Sequence, residues 1–370
     1  MKNKPRQYLI RVLSILGFVG AVYLIAVGRL PSRLPAQLSA KTAKVFDAAT
    51  ELQKIKNEAK GKGIFLTLDY NAKQVFLDYG LDNSIVLIHQ GFLNNEFNIN
   101  QCHTLMHLLG HNAYSSGKYK LSQLASVDSQ LCGGAFQHGV EAEITIKNLD
   151  YITELKEFCA EVQKRTPGAD CYHGMGHATM HRSLQINNSL KDCDRLLPGP
   201  VNNLTECYKG VFSETAFLVQ GVDGDTGLAF PNGPPIKLAE NNPLDLCVSL
   251  EAKYQKGCSL QLSRIIYDSS GTPDASFKKC LNSAYPVSLQ EGCVQILGAV
   301  DSQHTLTENQ AVKIPQIIFT LPAASRHAYM QGFFGEARAF VSSGKAVDVK
   351  AFCRSFKDEQ DQAYCSAIQV

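Results

Sequence analysis

Residues 171–180 read CYHGMGHATM, and the fold follows from how often that pattern returns along the chain. A histidine, charged or amide side chain followed by glycine recurs in AFQHGVEAEI (135–144), CYKGVFSETAF (207–217), YQKGCSLQL (254–262), LQEGCVQIL (289–297) and YMQGFFGEARAF (329–340). The shared glycines are Gly139, Gly174, Gly210, Gly257, Gly292 and Gly332, at steps of 35, 36, 47, 35 and 40 residues. That period is the length of one helical hairpin. A degenerate unit is expected around Gly110 in CHTLMHLLGHNAY, and a last one from Cys365. Glycine inside a helix costs about 1 kcal/mol, so its return at one place predicts that helices pack closely there.

The cysteines obey the same frame. Relative to the glycine of its unit, Cys132 stands at −7, Cys171 and Cys207 at −3, and Cys258 and Cys293 at +1. These offsets differ by one helical turn, which puts all five thiols on one helix face. Each has an upstream partner: Cys159 with Cys171, Cys193 with Cys207, Cys247 with Cys258, and Cys280 with Cys293. Cys353 with Cys365 repeats the spacing, and Cys102 is left for Cys132. Intervening lengths of 11, 13, 10, 12 and 11 residues suit the joint between one helix and the next. Around Gly332 the helix cysteine is replaced by Tyr329 and its upstream partner is missing as well, as expected if the two form a disulfide. Each short loop so closed adds roughly 2–3 kcal/mol. Helix breakers fill the linkers, in LLPGPVNN, VDGDTGLAFPNGPP, SSGTPD, SAYPVS and LPAAS. The fold class is therefore all-α: an array of disulfide-bridged helical hairpin repeats, either a superhelical solenoid or a closed α/α toroid, after an N-terminal transmembrane helix.

That helix is read from VLSILGFVGAVYLIAV, which follows Lys2, Lys4, Arg6 and Arg11. Positive charge ahead of an apolar run keeps the N-terminus cytoplasmic. A cleaved signal peptide is the alternative; the small residues Ala36, Ser39 and Ala40 lie far beyond the apolar core. The expected division is a cytoplasmic tail (1–11), a signal anchor (12–28), a linker (29–41), an N-terminal helical region (42–101) and the Cys-rich repeat domain (102–370). In the helical region, Thr42–Ala59 reads as a charged amphipathic helix and 62–90 as helix-turn-helix in preference to a strand pair. The body is expected in the periplasm or another oxidising extracytoplasmic space, where many cysteines mean disulfides.

Composition narrows the function. The 370 residues are 45% hydrophobic and 19% charged, which suits a globular chain. With 36 basic and 34 acidic residues the net charge is +2, so no nucleic-acid partner is expected. Tryptophan is absent, which argues against a groove that stacks sugars or bases.

Seven of the ten histidines fall between His103 and His181. His103, His107 and His111 lie at i, i+4 and i+8, one stripe of a helix. His138 and Glu141 are three residues apart, and His173 and His177 four. His138 and His173 both precede the repeat glycine, so neighbouring units bring them side by side. Paired imidazoles one turn apart converge on one cation, with further ligands from elsewhere in the fold. The expected metal ligands are His107, His111, His138, Glu141, His173 and His177, enough for one ion with spare groups or for two. Nitrogen and carboxylate donors suit a transition metal such as zinc, iron or copper. His89, His103, His181, His304 and His327 read as structural. Downstream units carry Lys209 and Glu214, Lys256 and Gln261, Glu291 and Gln295, and Gln331 and Glu336 at the equivalent positions, which confines the metal chemistry to the first three units.

Other chemistries lack their motifs: there is no HExxH, CxxCH, GxSxG or phosphate loop. GVDGDTG (221–227) has no bidentate Glu where a calcium loop needs one and reads as a turn. A glycosidase pair drawn from Glu141, Glu143, Glu214 and Glu336 is disfavoured by the missing tryptophan. CYHG and CYKG resemble the CHG-type motif of lanthionine cyclases, α/α toroids with a Cys/Cys/His zinc site. That site needs free thiols, which the local pairing here denies. Sel1-like repeat proteins are similar in having one local disulfide per hairpin, with tighter cysteine spacing. Neither resemblance carries a residue over. The expectation is a membrane-anchored exported metal-binding protein, with Glu141 or Glu143 as general base if a metal-activated water or oxygen species is the reagent. The alternative is an extracytoplasmic scaffold binding a peptide or protein partner without catalysis.

Overall fold

The computed structural model describes residues 46–59, 64–128, 131–165, 171–197, 201–222, 229–238, 242–270, 272–307, 314–342 and 349–368. The signal anchor expected at 12–28 lies outside them, and none of the described helices is long and apolar enough to cross a membrane. Asp47–Val370 forms one compact unit.

Among the described residues every regular element is helical, and the β contact is an isolated bridge between Val222 and Ala229. The first elements are α1 (Ala48–Ala59), α2 (Ile64–Tyr70), α3 (Ala72–Leu93), α4 (Ile99–Ser115), α5 (Leu121–Leu124), α6 (Ala135–Lys147), α7 (Tyr151–Arg165), α8 (Cys171–Ser183) and α9 (Ile186–Leu196). They are followed by α10 (Val201–Gln220), α11 (Pro243–Ser249), α12 (Ala252–Ser270), α13 (Pro273–Cys280), α14 (Val287–Thr307), a 3-10 turn (Gln316–Thr320), α15 (Ala323–Ser342), α16 (Val349–Arg354) and α17 (Glu359–Ala367).

Local chemistry sets the helix starts. Helix α1 begins at Ala48, where the Asp47 carboxylate accepts from Ala49 N at 3.1 Å and from the Thr50 hydroxyl at 2.6 Å, and residues 42–45 of the expected helix lie outside the described residues. At α4, Asn98 and Gln101 form a capping box, with bonds of 3.0 and 2.9 Å. Asn242 and Thr272 cap α11 and α13, each followed by a proline that cannot donate anyway. Of the 62–90 segment, residues 64–70 and 72–90 are helical as expected, with Gly80 at φ 74°, ψ 178° breaking α3, and 62–63 lie outside the described residues. GVDGDTG opens with Gly221 at φ 77° in a turn, and 223–227 lie outside the described residues.

Two sets of helices alternate. The long ones, α4, α6, α8, α10, α12, α14 and α15, each pack on the next. The intervening α7, α9, α11 and α13, of 7 to 15 residues, each pack against the helix of the first set that follows. Where two long helices meet, glycine removes the side chain that would hold them apart. A Cβ on Gly176 would lie 2.9 Å from the Gly210 Cα, and one on Gly110 would lie 3.2 Å from the Gly139 Cα.

Six disulfides use all twelve cysteines, in the pairing expected from the spacing: Cys102–Cys132, Cys159–Cys171, Cys193–Cys207, Cys247–Cys258, Cys280–Cys293 and Cys353–Cys365. Five of them tie a short helix to the helix after it across 11 to 14 residues. This full oxidation fits an oxidising, extracytoplasmic environment.

Candidate metal centre

Three consecutive long helices carry the clustered histidines. His103, His107 and His111 stand on α4, His138 with Glu141 and Glu143 on α6, and His173, His177 and His181 on α8. Helix α6 packs against both α4 and α8, so His138 lies between the other two sets. Gly174 allows that approach: a Cβ there would sit 2.5 Å from the His138 Cδ2 and 2.9 Å from the Glu141 carboxyl carbon.

The rings converge. From His138, ring centroids are 5.6 Å to His103, 5.6 Å to His107, 5.7 Å to His173 and 5.6 Å to His177. Within α4, His103 and His107 are 5.2 Å apart and His107 and His111 6.1 Å; within α8, His173 and His177 are 4.8 Å apart. One nitrogen each from His103, His107 and His138 lie within 4.8 Å of one another, close enough to share an ion. The Nε2 atoms of His173 and His177 are 3.1 Å apart. With metal–nitrogen bonds of about 2.0–2.1 Å, two ligand nitrogens on one tetrahedral ion are about 3.3 Å apart, so this pair already spans a coordination edge.

Oxygen atoms behind the rings set their tautomers. His103 Nδ1 donates to the Cys132 carbonyl at 2.8 Å, His111 Nδ1 to Glu143 at 3.0 Å and His177 Nδ1 to Glu214 at 3.0 Å. Each bond keeps the proton on Nδ1 and gives Nε2 the lone pair, as in the carboxylate–histidine pairs that support bound metals. The Cys132 carbonyl is presented by a left-handed turn, with φ 51° at Cys132, 69° at Gly133 and 76° at Gly134.

Electrostatics favour the neutral form of two of the imidazoles. Burial, reinforced by the surrounding histidines, holds His107 well below the ordinary histidine pKa. His173 is lowered in the same way by burial, by His177 and by Lys209. Burial works against ionisation of Glu214, but hydrogen bonds from His177 and His181 outweigh it and lower its pKa. At Glu143 the balance is similar: burial is overcome by His111, Ser115 and Lys147, and the pKa falls to about 2.

The six expected ligands do not all play one part. His107, His138, His173 and His177 come together as expected, with His111 next to His107. His103, which reads as structural in the sequence, belongs with them; the signal for it is its place four residues before His107 on the same stripe. His181 points its Nδ1 at Glu214, 3.8 Å away. Glu141 is fully buried, with Oε1 2.7 Å from Cys171 Sγ and 3.3 Å from Cys159 Sγ. Those sulfurs are joined to each other, which leaves neither as a thiolate ligand. Glu143 is occupied by three donors, and a carboxylate with a pKa near 2 is a weak general base. Glu214 reads in the sequence as a downstream equivalent and as a member of the disfavoured glycosidase pair, yet it accepts from His177 Nδ1. Outside the cluster, His304 stacks on Tyr267 and His327 on Tyr364.

A cavity of about 330 Å³ opens elsewhere, between α12, α14 and α15, and Lys256, Glu291, Gln295 and Gln331 line it. Its walls hold the downstream equivalents of the histidine positions and none of the clustered rings. Comparison with protein-family models, with curated proteins and with solved structures found no match to this chain.

Proposed function

We propose that this chain is an exported, membrane-anchored metal-binding protein whose centre is built from His103, His107, His111, His138, His173 and His177. The observation that carries the reading is the set of Nδ1 bonds at His103, His111 and His177, which turn three imidazoles of one cluster into lone-pair donors at Nε2. Neutral imidazole donors backed by carboxylates suit zinc, iron or copper and are poor ligands for calcium or magnesium. An ion held there would polarise a bound water or substrate oxygen. In this arrangement Glu143 and Glu214 position His111 and His177, and Glu141 shares with His138 the space left by the missing Cβ of Gly174.

The alternating helices favour a hairpin repeat array, and a hydrogen bond of 2.5 Å from Gln303 on α14 to Asn100 on α4 favours a closed toroid over an open solenoid. The disulfides and the charged, apolar N-terminal run support export with the body outside the cytoplasmic membrane. Elemental analysis of the full chain, produced in an oxidising compartment without a His-tag, tests the reading. It expects bound transition metal whose content falls in His138→Ala and in His173→Ala while the helical circular dichroism is kept. No metal after reconstitution, or unchanged occupancy in both variants, overturns it.

The polar cavity supports a second reading, in which the array is a scaffold that binds a peptide or protein partner there. That reading expects a partner retained through the ectodomain and no stoichiometric metal.

A further inference from the structure

We infer that the centre holds two metal ions joined through one histidine, with His138 as an imidazolate bridge. The inference rests on the metal-binding reading above and adds the number of ions and how they are linked. Two sets of three histidines share that residue: one nitrogen each from His103, His107 and His138 lie within 4.8 Å of one another, and the Nε2 atoms of His173 and His177 are 3.1 Å apart beside it. His103, His107 and His138 are mutually 5.2–5.6 Å apart by ring centroid, and His138, His173 and His177 are mutually 4.8–5.7 Å apart. A metal bonded at about 2.1 Å to an imidazole nitrogen lies about 3.2 Å from the ring centre, so rings on one ion sit no more than about 6.4 Å apart. Both triads meet that limit.

Helix geometry puts the triads on different sides of one ring. The first draws its other members from α4 and the second from α8, and α6, which carries His138, packs against both. Both nitrogens of His138 are inside the protein, each with under 1 Å² of exposed surface, so each of its two donor positions faces the interior. His111 stands beside His107 as a fourth donor on the α4 side.

Binding of the second ion releases the remaining N–H proton of His138 to solvent. The imidazolate so formed, together with the Glu214 carboxylate behind His177, offsets part of the positive charge brought into a buried site, where uncompensated charge is costly.

The test uses the full chain loaded with Cu(II), read by metal content and by electron paramagnetic resonance. An imidazolate holds its metals about 6 Å apart, close enough for the two copper spins to couple. The expected result is two copper ions per chain with an integrated signal well below two spins. The paired variant His103→Ala/His107→Ala should bind one copper with a full one-spin signal, and His173→Ala/His177→Ala should do the same from the other side. Two coppers with two independent spins would overturn the bridge. One copper in the unmodified chain would overturn the two-ion site while leaving the metal-binding reading intact, and none would overturn both. Because each paired variant retains one triad, its remaining copper signal reports folding and site integrity together.

Discussion

Two glycines three residues apart on α15 should respond to the same substitution with opposite signs. Gly332 faces α14: a Cβ there would fall on the Gln295 carbonyl oxygen, 2.7 Å from its carbon and 3.0 Å from Ala299 N. Gly335 is exposed, and a Cβ there would meet nothing within 4 Å. Alanine in a helix interior is favoured over glycine by about 1 kcal/mol, a gain available at both positions. At Gly332 the new methyl meets backbone, which cannot swing aside, so the two helices must part by about 1 Å. Overpacking of this kind costs about 3 kcal/mol at the upper end of its usual range. Gly332→Ala should therefore lose about 2 kcal/mol and Gly335→Ala gain about 1 kcal/mol, a separation of about 3 kcal/mol. Urea unfolding followed by far-ultraviolet circular dichroism, with disulfides intact, measures both. If Gly332→Ala is as stable as the unmodified chain, the long helices are not held at glycine contact distance and the packing argument fails.

Three further outcomes follow from the same geometry. Replacing Glu214 by glutamine keeps its size but removes the charge behind His177, and metal affinity by titration should fall 10- to 100-fold, as is usual for the loss of such a partner; an unchanged dissociation constant would deny Glu214 that role. Burial lifts Asp301 to about 6 despite hydrogen bonds from the Tyr329 and Tyr267 hydroxyls, so the folded protein holds this proton more tightly than the unfolded chain, whose carboxyl titrates near 3.8. Stability from this group is complete below pH 4 and is lost as pH rises to 6, by an amount on the order of 2–3 kcal/mol. Asp301→Asn should lack that loss, and a constant difference in urea midpoint between variant and parent across pH 4–7 would contradict it. Finally, the denatured, unreduced protein should show no free thiol, and Cys193→Ser/Cys207→Ser should cost about 3 kcal/mol for its loop. Free thiols in the parent would undo the pairing.

The parts of this protein that are legible in one dimension are those governed by neighbours along the chain. A disulfide across a short connection needs only a short spacing and a shared helix face, so five pairs can be read from cysteine positions, and the sixth, Cys102–Cys132, is what they leave over. The stripe from His103 to His111 and the pair His173 and His177 follow from 3.6 residues per turn. Helical hairpins follow from the period of glycine and cysteine and from the breakers between units.

Convergence across helices is not legible in this way. Whether His103 joins the centre depends on the left-handed Cys132–Gly134 turn that brings a carbonyl to its Nδ1. Whether Glu214 or Glu141 stands behind a ring depends on how far each helix is rotated about its axis, and no single residue encodes that rotation. Sequence points to Glu141 and Glu143 for proton transfer because carboxylates beside histidines allow it. What surrounds them is set by the tertiary structure, in which Glu143 meets His111, Ser115 and Lys147 and Glu141 is buried beside the Cys159–Cys171 disulfide. Sequence by itself determined the helices, their cross-links and the histidine supply; tertiary structure decided which imidazoles meet, because glycine contacts between α4, α6 and α8 set how closely the helices that carry them approach.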